Sequence, residues 1–506
     1  MIIRKTIMRT LSKSKLLAFR QCPKRLWLEI HHPELRADSA ATQASFDVGH
    51  QVGYIARVLY DTKGKGALID PQAEGFESAF SRSLALLETT QPIFEAGFRA
   101  EGALAFADVM LPTKKGSKRA WRMIEVKSST SVKDYHRDDA AIQSFIAKAA
   151  GVPLVSIALA HIDSQWVYPG NEDYQGLLLE NDLTDEAFAR SKEVQDWITE
   201  AQRIVRKRSA PKIGTGKHCG DPYECGFFRY CQSQEPQAEY PIRWLPGPLS
   251  NSLQSHIEAS GLTELSDVPD DLLNSRQQRV KVATLSGKTY FDQAGAAQAL
   301  APHKLPAYFM DFETIQFAVP FWKGTRPYQQ IPFQFSVHRL SRTGKMEHEA
   351  FLDLSGGDPS KAFAEALIAA CGERGPIFVY NAGFETARIN ELASRFPRIA
   401  KALLAINDRV VDLLPVAREH YYHPSQQGSW SIKKVLPAAC HDLCYDDLDG
   451  VQDGGMAMGA FLEALAPHTS ASRKAEIEKQ LLAYCALDTY AMVRLWSVFS
   501  GQSLGV

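Results

Sequence analysis

The chain has 506 residues, 45% hydrophobic and 23% charged, with a formal net charge of -1. That length is too great for one ordinary core and predicts two or three domains; the near-neutral charge excludes bulk electrostatic attraction to nucleic acid and leaves only local basic sites for that role. No apolar run reaches the roughly 18 residues of a spanning helix, and the basic N-terminus MIIRKTIMRTLSKSKLLAF, broken by Arg9, Lys13 and Lys15, lacks the clean apolar stretch and cleavage site of a secretory signal. No membrane association and a cytoplasmic, reducing compartment are therefore expected, so disulfides are not the default for the eight cysteines.

In chain order, a first domain is expected over residues 1–238. Residues 40–60 read as a helix, and IFEAGFRA, ALAFADVML and WRMIEVKSS then alternate as strands, with KKGSKR as the hairpin tip between the last two. Glu125 and Lys127 are two apart on a strand and share a face, and Asp108 lies across the hairpin. Two carboxylates beside an ammonium suit a hard cation such as Mg²⁺ or Mn²⁺. Metal and Lys127 together can activate a water and stabilise charge on a phosphate. The competing reading is a salt-bridged sheet surface. In KDYHRDDAAIQSF, Tyr135 and Gln143 lie two turns apart on one helical face, and the strand PLVSIALAHI comes after it. These motifs resemble the RecB-like branch of the PD-(D/E)xK nucleases, especially its iron–sulfur members. The resemblance implies a restriction-endonuclease-like domain, with Asp108 and Glu125 as metal ligands, Lys127 as a catalytic residue and Gln143 on the substrate side. His50, on the early helix, is near a position where many relatives carry a histidine.

Cys219, Cys225 and Cys231 cluster within KHCGDPYECGFFRYC, while Cys22 stands alone near the start. Four thiolates can hold a [4Fe–4S] cluster or a zinc ion. The C-x₅-C-x₅-C spacing departs from the tight pairs of structural zinc sites. One early and three late cysteines resemble the iron–sulfur staple of the RecB-like family, which implies a structural cluster tying the two ends of the domain together. Arg203, Arg206, Lys207, Arg208, Lys212 and Lys217 read either as a phosphate track or as a solvated helix end.

SQEPQAEYPIRWLPGPLSNS reads as a linker, and residues 239–300 as linker plus a small helical connector. The last domain is expected over 301–506. It opens with three strand-like segments, YFMDFETI, PFQFSVHRL and EHEAFLDL; the strand PIFVYN and a long helix over about 472–498 come later. Asp311 and Glu313 share a strand face and need a cation to offset their repulsion. Glu385, on the first turn of a helix after a strand, and Asp488, four residues after Tyr484 on a helical face, supply two more carboxylates. Four acids at a strand edge can hold two divalent ions, with Tyr484 orienting an attacking water. DFET, N-x-x-F-E and Y-x₃-D, in that order, resemble the tyrosine-type DnaQ-like 3′–5′ exonucleases. The resemblance implies an RNase H-like mixed-sheet domain. Its second motif normally ends in Asp, where this chain has Glu385. Asp412 is a further acid at a strand end, able to assist or simply to cap the next stretch of chain. FWKGTRPYQQ, with Trp322, Lys323, Arg326 and Tyr328, reads as a base-stacking loop or as a packed hairpin. Cys371, Cys440, Cys444 and Cys485 read as buried thiols.

The expectation is thus an α/β chain with two hydrolytic centres. It is similar to an uncharacterised bacterial family that joins the two nuclease types, acting on DNA in repair or in defence against foreign DNA. The alternatives are RNA processing by the C-terminal half, or a nucleic-acid grip in which one half has lost catalysis.

Overall fold

The computed structural model describes residues 9–504, so the first eight residues of the basic N-terminal segment lie outside them. The protein is mixed α/β and divides into two compact units, one of residues 1–236 with 317–328, the other of 237–316 with 329–506. Among the described residues no helix is long and apolar enough to cross a membrane.

The first unit is built on a seven-stranded sheet: β1 (Leu11–Ser12), β2 (Ala67–Leu68), β3 (Ile93–Ala100), β4 (Ala103–Lys115), β5 (Lys118–Lys127), β6 (Leu154–Ile162) and β7 (Leu178–Asp182). The order is β2-β3-β4-β5-β6-β7, with β1 added on β4. β4 and β5 form the expected hairpin, turning at Gly116, whose φ of 62° suits a residue without a Cβ. β5 and β6 are parallel, and the helix Asp134–Ala149 makes the crossover between them. That helix buries Ala140, Ala141, Ile142, Ile146 and Ala147 in the same cluster as Trp121 and Met123 of β5. Two short helices, Lys13–Gln21 and Pro23–His31, flank Cys22.

The segment Phe317–Tyr328, placed by chain position in the C-terminal domain, packs with the first unit instead. Tyr168 N–H donates to the Thr325 carbonyl and Gly324 N–H to the Tyr168 carbonyl, both at 2.9 Å. Ala318 and Val319 join Val52, Ile55 and Ile162 in an apolar cluster. Trp322 is buried against Phe317 and Phe321, with ring centroids 5.3 and 4.7 Å away. The segment is an irregular loop packed on the first unit, with Trp322 buried in it.

The connector belongs to the second unit: β8 (Tyr290–Phe291) pairs with a late strand, Tyr421–Tyr422, and Gly261 ends the helix Asn251–Ser260 in the left-handed conformation. The main sheet of this unit has five strands: β9 (Ala307–Ile315), β10 (Ile331–Leu340), β11 (Met346–Leu352), β12 (Ile377–Val379) and β13 (Val410–Asp412). Their order is β11-β10-β9-β12-β13. β10 is antiparallel to the central β9, and β12 and β13 run parallel to it.

Alternation along β9 sorts its side chains between two helical layers. Met310 and Phe312 join the core with Phe363 and Leu367 of the helix Ser360–Cys371 and Ile389 of the helix Gly383–Arg395. Phe309 meets Trp496 of the long helix Ala471–Ser500, ring centroids 6.1 Å apart. Asp311 and Glu313 share the Phe309 face, so both carboxylates turn toward the long helix. Asp488 and Trp496 are eight residues apart on that helix and lie on one stripe. Replacing the fully buried Trp496 should therefore loosen the face that holds the acids. Trp496→Ala is expected to destabilise the second unit by about 3–5 kcal/mol, read as a lower urea midpoint for that unit; an unchanged midpoint would refute this packing.

Candidate metal centres

In the second unit, Asp311, Glu313 and Asp488 each present an oxygen, and these oxygens all lie within 4.8 Å of one another. Burial, reinforced by Asp488 and Glu313, raises the Asp311 carboxyl well above its ordinary value. Burial and then Asp488 raise Glu313 to about 8. Asp488 rises to about 6 by burial, held back by a 2.5 Å hydrogen bond from the Tyr445 hydroxyl and by Lys433. Like charges pressed together without water need a cation, so the donor set fits a hard divalent ion.

Glu385 sits beside this triad without joining the 4.8 Å group. It adds to the charge that raises Asp311. It is buried, raised by that burial to about 8, and its Oε2 has no hydrogen-bond partner. An orphaned buried oxygen beside three acids is where a cation or its water would be satisfied. Asp412 is engaged elsewhere: it accepts from Asn381 N–H (2.9 Å), Ala382 N–H (3.1 Å) and Leu414 N–H (2.9 Å), so it caps and braces the approach to Glu385. Tyr484 hydrogen-bonds Asp488, and burial keeps its hydroxyl far above the usual phenol range, so it serves as a donor.

Two contributors carried no signal in the sequence. Tyr445 opens a short 3₁₀ turn and reaches Asp488 across 43 residues of chain. Lys433 donates to the Gln452 carbonyl at 2.6 Å, lies over the Tyr445 and Tyr484 rings at 5.4 and 5.1 Å, and lowers both Glu313 and Asp488.

In the first unit the structure brings Asp108, Glu125, Lys127 and Gln143 together. Asp108 accepts the Val126 N–H at 2.7 Å across the β4–β5 pair. Glu125 Oε1 takes Lys127 Nζ at 2.6 Å and Lys13 Nζ at 2.7 Å, while Gln143 Nε2 donates to Glu125 Oε2. Asp139 completes a square, 2.6 Å from Lys127 and 3.2 Å from Lys13. Burial alone would lower Lys127, but Asp139 and Glu125 outweigh it and hold the ammonium well above its usual range. Burial would raise Asp139, yet Lys127 and Lys13 pull it far below the usual carboxylate range. Asp108 is raised well above its ordinary value by burial and then by Glu125. Glu95, skipped in the β3–β4 register and at φ 56°, adds a fourth acid raised by burial and by Glu125. Gln143 Oε1 is buried and unpartnered. Glu125 Oε1, the oxygen a divalent ion beside Asp108 would need, is occupied by both Lys13 and Lys127. His50 is exposed on its helix, near enough to Glu95 to lower it. Asp139 lies between Tyr135 and Gln143 at four-residue steps, a spacing that could have marked it; Lys13 carried no comparable signal.

Cys22, Cys219, Cys225 and Cys231 are free thiols lining one small cavity with Lys24, Arg25 and Phe227. Cys225 N–H donates to the Cys219 carbonyl at 2.8 Å, which shapes the loop. Burial raises the Cys225 and Cys231 thiols. A tetrahedral zinc with Zn–S of about 2.3 Å draws its sulfurs to roughly 3.8 Å of one another. Among the described residues only the acid triad gathers three such ligand atoms within 4.8 Å. The four thiols form no such group. Cys440, Cys444 and His441 likewise form no such group, and His441 is hydrogen-bonded to the Pro437 carbonyl.

Residues 308–431, about a quarter of the chain, match the model of a family described as a domain of unknown function (DUF2779). The matched stretch contains Asp311, Glu313, Glu385 and Asp412 and stops short of Tyr484 and Asp488. No curated protein matches the chain.

The acid triad has a pH signature. Folded and metal-free, Glu313 and Asp488 keep their protons up to about 8 and about 6, whereas unfolded they titrate near 4. Between these values the unfolded state has released protons that the folded state retains, so stability falls as pH rises from about 4 to about 8 and then levels off. A divalent ion opposes this by favouring the ionised acids. In EDTA the melting temperature of the second unit should decline from about pH 5 to about pH 8, and Mn²⁺ should raise it more at the higher pH. Equal metal-induced shifts at both pH values would contradict the assignment.

Proposed function

We propose that the chain is a divalent-metal-dependent nuclease hydrolysing phosphodiester bonds, with DNA as its polymer and repair or defence against foreign DNA as its setting. The observation that carries this reading is the buried triad Asp311, Glu313 and Asp488, with Glu385 and the Tyr484 hydroxyl beside it. The strand order β11-β10-β9-β12-β13 around that triad supports an RNase H-like, DnaQ-type domain. The β4–β5 hairpin bearing Asp108, Glu125 and Lys127 supports a PD-(D/E)xK domain in the first unit.

In the second unit Asp311, Glu313 and Asp488 would hold Mg²⁺ or Mn²⁺, with Glu385 able to add a ligand. Bound there, such ions supply an activated water and stabilise the leaving oxygen. Tyr484, kept protonated beside Asp488, would orient that water through its hydroxyl oxygen. Lys433 stands as a fixed cation near the same acids, where a phosphate would meet it. In the first unit Lys127 is a permanently charged donor for a phosphate oxygen, and Asp139 and Gln143 fix its position and that of Glu125. Cys22, Cys219, Cys225 and Cys231 would hold a [4Fe–4S] cluster with a structural role.

A second reading is favoured by the first unit's own charges. Glu125 and Asp139 are already neutralised by Lys13 and Lys127, so this unit can grip nucleic acid without cutting it.

Labelled single-stranded DNA, duplex DNA and RNA incubated with Mg²⁺ or Mn²⁺ test both. Asp311→Ala is expected to lower hydrolysis at least 100-fold for the strand-end activity. Lys127→Ala removes any remaining cleavage if the first unit is a nuclease and leaves it untouched if that unit only binds. Full activity in both variants would refute the two-centre assignment. Glu385→Asp reads the effect of the longer side chain, and a gain in rate would mark a detuned site. Protein purified without oxygen should be brown and contain iron and sulfide; a colourless zinc protein would refute the cluster.

A further inference from the structure

A cleft of about 730 Å³ opens in the first unit between the helix Lys13–Gln21, the N-terminus of the helix Asp134–Ala149 and the loop that carries Cys219. Tyr135 and Tyr223 form a corner in it, ring centroids 5.9 Å apart and planes at 80°. Tyr223 is exposed for an aromatic residue, at 36%. Its loop is not loose: Gln21 Nε2 donates to the His218 carbonyl at 2.8 Å and to the Tyr223 carbonyl at 2.7 Å, and the Arg25 guanidinium lies 5.0 Å over the Tyr223 ring. Arg20 and Lys133 add cations at the rim and Asp134 and Asp221 add acids; Asp138 is tied to Arg20 at 3.0 Å and to Arg190 at 2.6 Å. The lining is therefore close to charge balance, and its distinctive feature is two rigidly mounted aromatic rings.

The cleft lies beside the Lys127 centre. Tyr135, Asp139 and Gln143 succeed one another at four-residue steps on one helical stripe, so Tyr135 is one turn, about 6 Å, from Asp139. Asp139 in turn touches Lys127 at 2.6 Å. The Tyr135 hydroxyl feels the Lys127 charge, and both tyrosines feel Asp139. One turn of helix matches roughly one nucleotide of an unstacked strand, which advances further than the 3.4 Å per nucleotide of a stacked one. The volume falls in the roughly 300–1,000 Å³ range that encloses one small molecule, room for a nucleotide or two rather than a paired helix.

We propose that this cleft binds an unstacked nucleobase of a single strand, next to the phosphate presented to Lys127, by stacking in the Tyr135–Tyr223 corner. This deepens the reading of the first unit as a nucleic-acid-handling unit and rests on it. Because the lining is near charge balance, the clamp acts by stacking and not by phosphate attraction, so it contributes little to salt dependence.

The test uses the full chain, purified without oxygen and kept in EDTA so that strands stay intact. Single strands of DNA and RNA carrying one 5-iodouracil are irradiated, and the crosslinked residue is identified by mass spectrometry. Crosslinks are expected at Tyr135 or Tyr223. Tyr135→Leu and Tyr223→Leu, which keep apolar bulk, should each lose the crosslink and weaken strand binding about tenfold, with the salt slope unchanged. Tyr→Trp at either position should restore affinity. The DNA and RNA arms show which sugar the cleft accepts. Crosslinks only elsewhere, with wild-type affinity in both Leu variants, would overturn the clamp even if Lys127→Ala abolishes cleavage. Conversely, crosslinks at these tyrosines in a protein whose cleavage ignores Lys127 would uphold the clamp and overturn the catalytic reading of that centre.

Discussion

Everything in the second unit is arranged around an unfavourable contact: three carboxylates held within 4.8 Å of one another between β9 and the long C-terminal helix. Hydrophobic burial on the same face keeps them there. Phe309 precedes Asp311 by two residues, stacks on Phe378 (5.2 Å between centroids) and meets Trp496 edge-on. The apolar part of β9 anchors the strand to the helix, and the acids are carried with it because alternation leaves them no other direction. Lys433 and Tyr445 offset part of the repulsion, but both approach Glu313 or Asp488, and neither is among the groups that bear most on Asp311. What remains is a site that its own side chains leave under-compensated.

The first unit solves the same electrostatic problem differently. Glu125 and Asp139 are matched by Lys13 and Lys127 in a closed square of contacts between 2.6 and 3.2 Å. Removing any one corner leaves a buried charge unpaired, which costs more than the pair contributes net. Glu125 and Asp139 are therefore compensated by side chains of the same unit, without a metal. In the N-terminal half Glu125 and Asp139 have lysine partners, while Asp108 and Glu95 stay raised by burial and by Glu125.

Much of both centres was legible where one element carries the pattern. Period-two alternation exposed Asp311 with Glu313 and Glu125 with Lys127, and the four-residue step joined Tyr484 to Asp488. Asp139 obeys the same rule between Tyr135 and Gln143, but its partners Lys127 and Lys13 lie on other elements. Contacts of long separation left no trace in spacing. Lys13 meets Glu125 across 112 residues and Tyr445 meets Asp488 across 43. The segment Phe317–Tyr328 was assigned by its position after β9, whereas its packing is set by Ala318, Val319 and Tyr168, which only three-dimensional proximity could reveal.

The helix Lys13–Gln21 shows how the parts of the first unit depend on one another. Its first residue contributes an ammonium to Glu125 and Asp139. Its last residue, Gln21, holds the carbonyls of His218 and Tyr223, and the next residue is Cys22. A rigid nine-residue strut thus has the charge square at one end and the cysteine quartet at the other.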